Sequence, residues 1–110
     1  MVFINNVRDS LDLVIADANN GIKTEENGDD DESYRIILKT GIEGITYWLN
    51  LWQFGFGINE NNPSRVKLYR KHPNESGYGA CIASFGLESN GGIKLGTIAT
   101  IVARIIEDFE

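Results

Sequence analysis

The sequence has little cysteine, histidine or proline: its 110 residues include one cysteine, one histidine and two prolines, and the first two are residue types on which catalysis and metal binding commonly depend. A single cysteine excludes an internal disulfide and the usual thiolate cage for a metal ion. Any catalytic arrangement built on histidine must use His72, which lies between Lys71 and Pro73 in a predicted turn and is expected at the surface. Cys81 stands in an apolar stretch and is expected to be a buried, inert thiol. We therefore expect a protein that is not an enzyme.

Long apolar runs and phosphate-binding loops are missing as well. No stretch approaches the roughly 18 apolar residues that span a membrane, and no basic leader followed by an apolar run stands at the N-terminus. The two Gly-aromatic-Gly sequences lack the spacing of phosphate-binding loops. These absences predict a cytoplasmic protein with no membrane partner and no cofactor. The richness in Asn and Ile is consistent with a bacterial or phage source.

The acidic residues are unevenly distributed. There are 16 Asp and Glu against 10 Lys and Arg, a formal charge of −6. Six acids and no bases fall within residues 25–32: Glu25, Glu26, Asp29, Asp30, Asp31 and Glu32. The remainder is neutral, which excludes both a nucleic-acid mimic with carboxylates over its whole surface and a generally basic polyanion binder.

Residues 21–33 are predicted to form an acidic flexible loop. Consecutive carboxylates point in several directions, whereas a calcium loop needs them at alternating positions, so no metal site is expected. The alternative is an electrostatic arm that meets a basic partner and speeds the encounter.

Apolar periodicity predicts the secondary structure. Residues 5–19 have helical spacing, and so does the C-terminal segment from Leu95 to Phe109, where the acids of the last turn are expected to cause fraying. The region between them alternates with period two, which predicts four strands at residues 34–39, 45–58, 64–70 and 78–87. Short connections favour an antiparallel meander. The expected fold is a single α+β domain over residues 1–110, with a four-stranded sheet flanked by an N-terminal and a C-terminal helix (α-β-β-β-β-α).

The long second strand is apolar on both faces, which indicates that both faces of the sheet are covered. Either one helix lies on each face, or both helices share one face and a second copy or another partner covers the other. In the simpler interpretation, every aromatic residue belongs to the core. In the other, an aromatic and basic sheet face binds a partner, and its candidate residues are Trp48, Trp52, Phe54, Phe56, Arg65, Lys67, Tyr69 and Lys71. Lysine and arginine also protect edge strands, which is the structural alternative for the four residues of the third strand.

These features favour a small non-catalytic protein-binding module, such as an inhibitor, an immunity factor or a phage-encoded antagonist of a host protein. One alternative is a homodimer, because the element order with an acidic balance resembles that of small secretion chaperones that dimerise; no motif carries this resemblance. The other alternative is a nucleotide or single-stranded nucleic-acid binder that uses the basic and aromatic face. Nucleic acid is the weaker candidate because phosphate-driven affinity needs more basic surface.

Overall fold

The elements form in the predicted order. The computed structural model describes residues 4–19, 33–52, 63, 65–77, 79–86 and 93–110. Along the chain the elements are α1 (Ile4–Asn19), β1 (Ser33–Leu38), β2 (Thr46–Trp52), β3 (Arg65–Lys71), β4 (Ala80–Gly86) and α2 (Leu95–Phe109). This confirms the α+β class and the α-β-β-β-β-α order. The part of the second predicted strand beyond Trp52 lies outside the described residues.

The four strands form an antiparallel meander in the order β1-β2-β3-β4, as predicted. One turn depends on a particular glycine. Gly79 precedes β4 with a φ of 79°, and a Cβ on this residue would lie 2.2 Å from the carbonyl oxygen of Arg70. Only glycine therefore permits this close approach between the end of β3 and the start of β4.

Both helices lie on the same face of the sheet, so the arrangement with one helix on each face is wrong. The helices contact each other, and α1 also packs against β1. The helices and the first three strands contribute to one buried cluster, which contains Val7, Leu11, Tyr34, Leu38, Tyr47, Leu49, Leu51, Val66, Leu68, Ile98, Ala99, Val102, Ala103 and Ile106. Aromatic residues at alternate positions of β2 therefore have different roles, since Tyr47 belongs to this core and the tryptophans point to the opposite face.

Two polar links join the helices to the sheet. Ser10, inside α1, donates to the carbonyl of Asn6 at 3.0 Å and accepts the backbone N–H of Lys39 at 2.9 Å. At the C-terminal end, α2 continues to Phe109, and the side chain of Glu110 bonds to Arg70 of β3. The expected fraying of the last turn is therefore not what the structure shows, because this ion pair ties the turn to the sheet.

Candidate functional site

The face of the sheet turned away from the helices, called the outer face below, carries the predicted binding residues that the structure describes. No helix covers it within the described part of the chain. The two inner strands contribute Trp48, Asn50, Trp52, Arg65, Lys67, Tyr69 and Lys71. Strand β1 adds Arg35, next to Asn50, and β4 adds Cys81, next to Tyr69.

The strand register brings the tryptophans and the cations together. Trp52 pairs with Arg65 across β2 and β3, and two residues along, Asn50 pairs with Lys67. Trp48 pairs with Tyr69 in the same way. The adjacency on which the binding hypothesis depends is therefore present in the fold.

Two cations share the ring of Trp52. The guanidinium carbon of Arg65 lies 5.7 Å from the ring centroid, and Nζ of Lys67 lies 5.4 Å from it. Both distances are within the range of cation–π attraction, which contributes about 0.5 to 2 kcal/mol per pair. Trp52 is only 5% exposed, although it lies on the outer face. Its ring therefore serves to position Arg65 and Lys67 and is not an open platform.

A buried polar pair lies beside Trp52 on the outer face. Nε of Arg35 donates to Oδ1 of Asn50 at 2.7 Å, and the two residues are 7% and 1% exposed. The sequence analysis assigned neither residue to the site. The alternation of β1 puts Arg35 on the same face as the tryptophans once the strands are paired, but alternation alone does not give the pairing between strands.

The position of β3 in the sheet rules out edge-strand protection as the reason for its cations. Because β3 pairs with β2 on one side and with β4 on the other, it is an inner strand. Protection of an edge strand therefore does not account for Arg65, Lys67 and Lys71, and that interpretation is wrong. The edge strand β4, by contrast, contains no charged residue.

Part of the predicted site lies outside the described residues. This applies to Phe54 and Phe56 beyond the end of β2 and to the whole acidic arm: Glu25, Glu26, Asp29, Asp30, Asp31 and Glu32. Ser33, which the sequence analysis included in the acidic loop, is the first residue of β1 and pairs with Trp52.

A second polar cluster joins the end of α2 to the helix-covered face. The phenol of Tyr47 donates to Glu110, and Nε of Arg70 lies 3.1 Å from that phenol oxygen and 3.0 Å from the carboxylate. Arg70 also lies over the ring of Phe109 at 5.1 Å, and its Nη1 is 2.6 Å from Nε2 of His72. Burial, together with the hydrogen bond to Glu110, raises the pKa of Tyr47 to about 12, while the bonds from Arg70 and Tyr47 lower the pKa of Glu110. Tyr47 therefore stays a neutral donor near pH 7, and the cluster holds the helix to the sheet.

The two residues considered for nucleophilic catalysis are both accessible. His72 is exposed, as predicted, and its ring contacts Arg70. Cys81 is also exposed, so the prediction of a buried thiol is wrong. The reason is that β4 is an edge strand and Cys81 points to the outer face, where its thiol donates to the carbonyl of Ala83 at 3.5 Å. No hydrogen bond joins Cys81 to His72 among the described residues.

Other parts of the described chain supply little chemistry. A shallow cavity of about 290 Å³ lies between the helices and is lined by Arg8, Leu11, Asp12, Leu95 and Gly96. No group of three or more His, Cys, Asp or Glu suited to hold a metal ion occurs among the described residues. No helix within the described ranges is both long and apolar enough to cross a membrane.

Comparisons with known proteins add no functional information. No protein-family model matches the chain, and searches of curated proteins and of solved structures found no significant match.

Proposed function

We propose that the chain is a small non-catalytic protein-binding module that docks on its partner through the outer face. The observation that carries this proposal is the inner strand β3, which presents Arg65 and Lys67 beside Trp52 and Lys71 further along the same face, with no helix over them among the described residues. Desolvated aromatic residues next to arginine are typical of the residues that dominate protein interfaces. The proposed setting is the cytoplasm, and the proposed role is that of an inhibitor, an immunity factor or a phage-encoded antagonist.

The geometry favours a protein over a nucleic acid as the partner. Binding of single strands uses exposed rings on which bases stack, and Trp52 is only 5% exposed, with Arg65 and Lys67 close to its ring. Affinity for phosphate chains rises with the number of neutralised phosphates, and this chain has an excess of six acids over bases. A protein partner can instead use both the cations and the neighbouring half-buried Tyr69.

The proposal is tested by placing a photocrosslinking amino acid on each layer of the molecule. Position Ile37 is 57% exposed on the outer face, where it pairs with Trp48, and it is not one of the proposed binding residues. Position Arg104 is exposed on α2 in the helical layer. We expect a stoichiometric crosslinked partner from position 37 and none from position 104. Equal capture from both positions, or none from position 37 with folded protein, would contradict the proposal.

A second candidate function is self-association, and β4 is the element that favours it. This edge strand of seven residues contains neither charge nor proline, the usual protections against pairing with another strand. Dimerisation through the outer face is less favourable, because it would bring the cations of both copies into one interface to which the strands contribute no carboxylate. Sedimentation of the protein and of Ser84→Lys distinguishes the two: a dimer that dissociates in the variant supports pairing through β4, and a monomer at micromolar concentration eliminates it.

A further inference from the structure

The charges of the sheet are of one sign. None of the four strands contains Asp or Glu, although the chain has 16 acids. Arg70, on the helix-covered face, is paired with Glu110. On the outer face, Arg65, Lys67 and Lys71 form no ion pair with a carboxylate among the described residues. Among the described residues the outer face therefore carries only positive charge, whereas the formal charge of the whole chain is −6.

The positive side chains of β3 follow a fixed spacing. Residues two apart on a strand point to the same face and lie about 7 Å apart, since a strand rises roughly 3.3 Å per residue. Arg65, Lys67, Tyr69 and Lys71 therefore form a row that reads cation, cation, aromatic, cation. An extended peptide that lies along β3 repeats its own alternate side chains at the same spacing.

From this row we infer that the outer face binds an extended acidic segment of a partner protein, with carboxylates opposite Arg65, Lys67 and Lys71 and an apolar side chain opposite Tyr69. This inference rests on the proposed protein-binding function and specifies the chemistry of the partner. Trp52 fixes the side chains of Arg65 and Lys67 over its ring, so two of the three cations are held in place before binding. Preorganisation of this kind reduces the entropy that is lost when carboxylates are bound.

The test uses two synthetic peptides of identical composition, each with three glutamates and one leucine in a Ser and Gly background. In the patterned peptide they stand at alternate positions in the order Glu, Glu, Leu, Glu, and in the scrambled peptide the glutamates are consecutive. The two tryptophans of the chain both lie on the outer face, so their fluorescence reports binding directly. We expect the patterned peptide to bind at least about tenfold more tightly than the scrambled peptide at low salt, and both to weaken as salt rises.

Charge-reversal variants locate the binding surface. Lys71→Glu changes the outer face without removing a cation from Trp52, and Arg104→Glu makes the same charge change on exposed α2. We expect Lys71→Glu to weaken binding of the patterned peptide about tenfold or more and Arg104→Glu to change it less than about threefold. Circular dichroism and the urea midpoint verify that both variants are folded.

Three outcomes would overturn the inference: equal affinity for both peptides, equal losses in both variants, or tighter binding of oligothymidylate than of the patterned peptide. The last outcome would indicate a nucleic-acid surface. The photocrosslinking test separates this inference from the proposed function. A partner captured at position 37 whose binding is insensitive to Lys71→Glu would leave the protein-binding function intact and disprove the acidic-segment chemistry.

Discussion

Trp52 of β2 lies directly across the sheet from Arg65 of β3, and the guanidinium carbon of Arg65 is 5.7 Å from the centre of the indole ring. Lys67, the next residue of β3 on that face, approaches the same ring. The indole is 5% exposed, while Arg65 is exposed and Lys67 is half-buried, so these long basic side chains reach the surface beside the ring. One aromatic residue thus stabilises the sheet and also sets the position of the charges proposed to bind the partner.

The first prediction concerns the burial of this ring. Trp52→Ala should lower the free energy of unfolding by about 3 to 5 kcal/mol, because it removes a large buried side chain and leaves a cavity. The matched control is Trp48→Ala, which changes the same residue type on the same strand and face, where the side chain is only half-buried. Urea denaturation should give a clearly smaller loss for Trp48→Ala. Equal losses would show that the deeper burial of the Trp52 ring contributes little to stability.

The second prediction concerns the buried pair of Arg35 and Asn50. Asn50→Leu removes the acceptor for Nε of Arg35 and should destabilise the fold by about 2 to 4 kcal/mol, since it leaves a buried charge with one hydrogen bond fewer. Replacing both residues, in Arg35→Met/Asn50→Leu, should cost less than the sum of the two single losses by about 1 kcal/mol or more. Urea denaturation of the unaltered protein, the two single variants and the double variant gives the coupling free energy between the two residues. Additive losses would contradict the pairing.

The strand pattern made much of this face predictable, and the pairing between strands did not follow from it. Alternation along β3 gives the common direction of Arg65 and Lys67 without any structure, because side chains in a strand alternate between two faces. It does not tell which residue of β2 lies opposite, since the offset between strands depends on the turns. Asn50 and Arg35 were missed for this reason. In the sequence, Asn50 and Arg35 each resemble an ordinary surface residue, and only the strand register shows that they lie side by side.

Two other features could not be predicted from the sequence, each for a different reason. Tyr47 and Glu110 are 63 residues apart, and no local pattern connects a strand residue to the end of a helix. The exposure of Cys81 depends on strand order, because the same apolar stretch would be buried in an inner strand. The sequence also allowed the helices to share a face or to lie on opposite faces, and only their packing into one core decided between these arrangements.

The third prediction concerns the pH dependence of stability. In the folded state the pKa of Glu110 is lowered, chiefly by its bond from Arg70, so the ionised carboxylate stabilises the fold above the ordinary glutamate pKa. This contribution should disappear as the pH falls through the lowered pKa. Glu110→Gln should therefore make the fall in stability at acid pH shallower. Glu107→Gln, at an exposed position of the same helix turn, is the matched control and should change the profile less. Urea midpoints between about pH 2 and 7 provide the comparison, and identical profiles for the two variants would contradict this role of Glu110.

The fourth prediction concerns the loss of stability at alkaline pH, which depends on the same cluster of Tyr47, Arg70 and Glu110. The pKa of Tyr47 is raised to about 12, above the value of about 10 for an unfolded chain, so the folded state favours the protonated phenol. Its stabilising effect is complete below about pH 10 and is lost as the pH rises towards 12. Tyr47→Phe should therefore show a shallower alkaline decline than the unaltered protein, together with a lower stability at pH 7 caused by the lost hydrogen bond. Absorbance titration should show one fewer tyrosine ionising at the highest pH.

The fifth prediction concerns the acids of residues 25–32, which account for the whole formal charge of −6. Replacing the six acids by their amides keeps the length of the segment and brings the formal charge to about zero. If the outer face binds an acidic segment, this replacement should speed the association of the patterned peptide several-fold at low salt, because a net repulsion is removed. The difference should shrink as salt approaches 0.5 M, since the screening length then falls below about 5 Å.

Deleting residues 25–32 and joining the ends with a short Gly-rich linker should change stability by less than about 1 kcal/mol and serves as the control for length. Slower association of the amide variant would instead support an arm that meets a basic partner, and an unchanged rate would mean that these charges do not influence binding at the outer face.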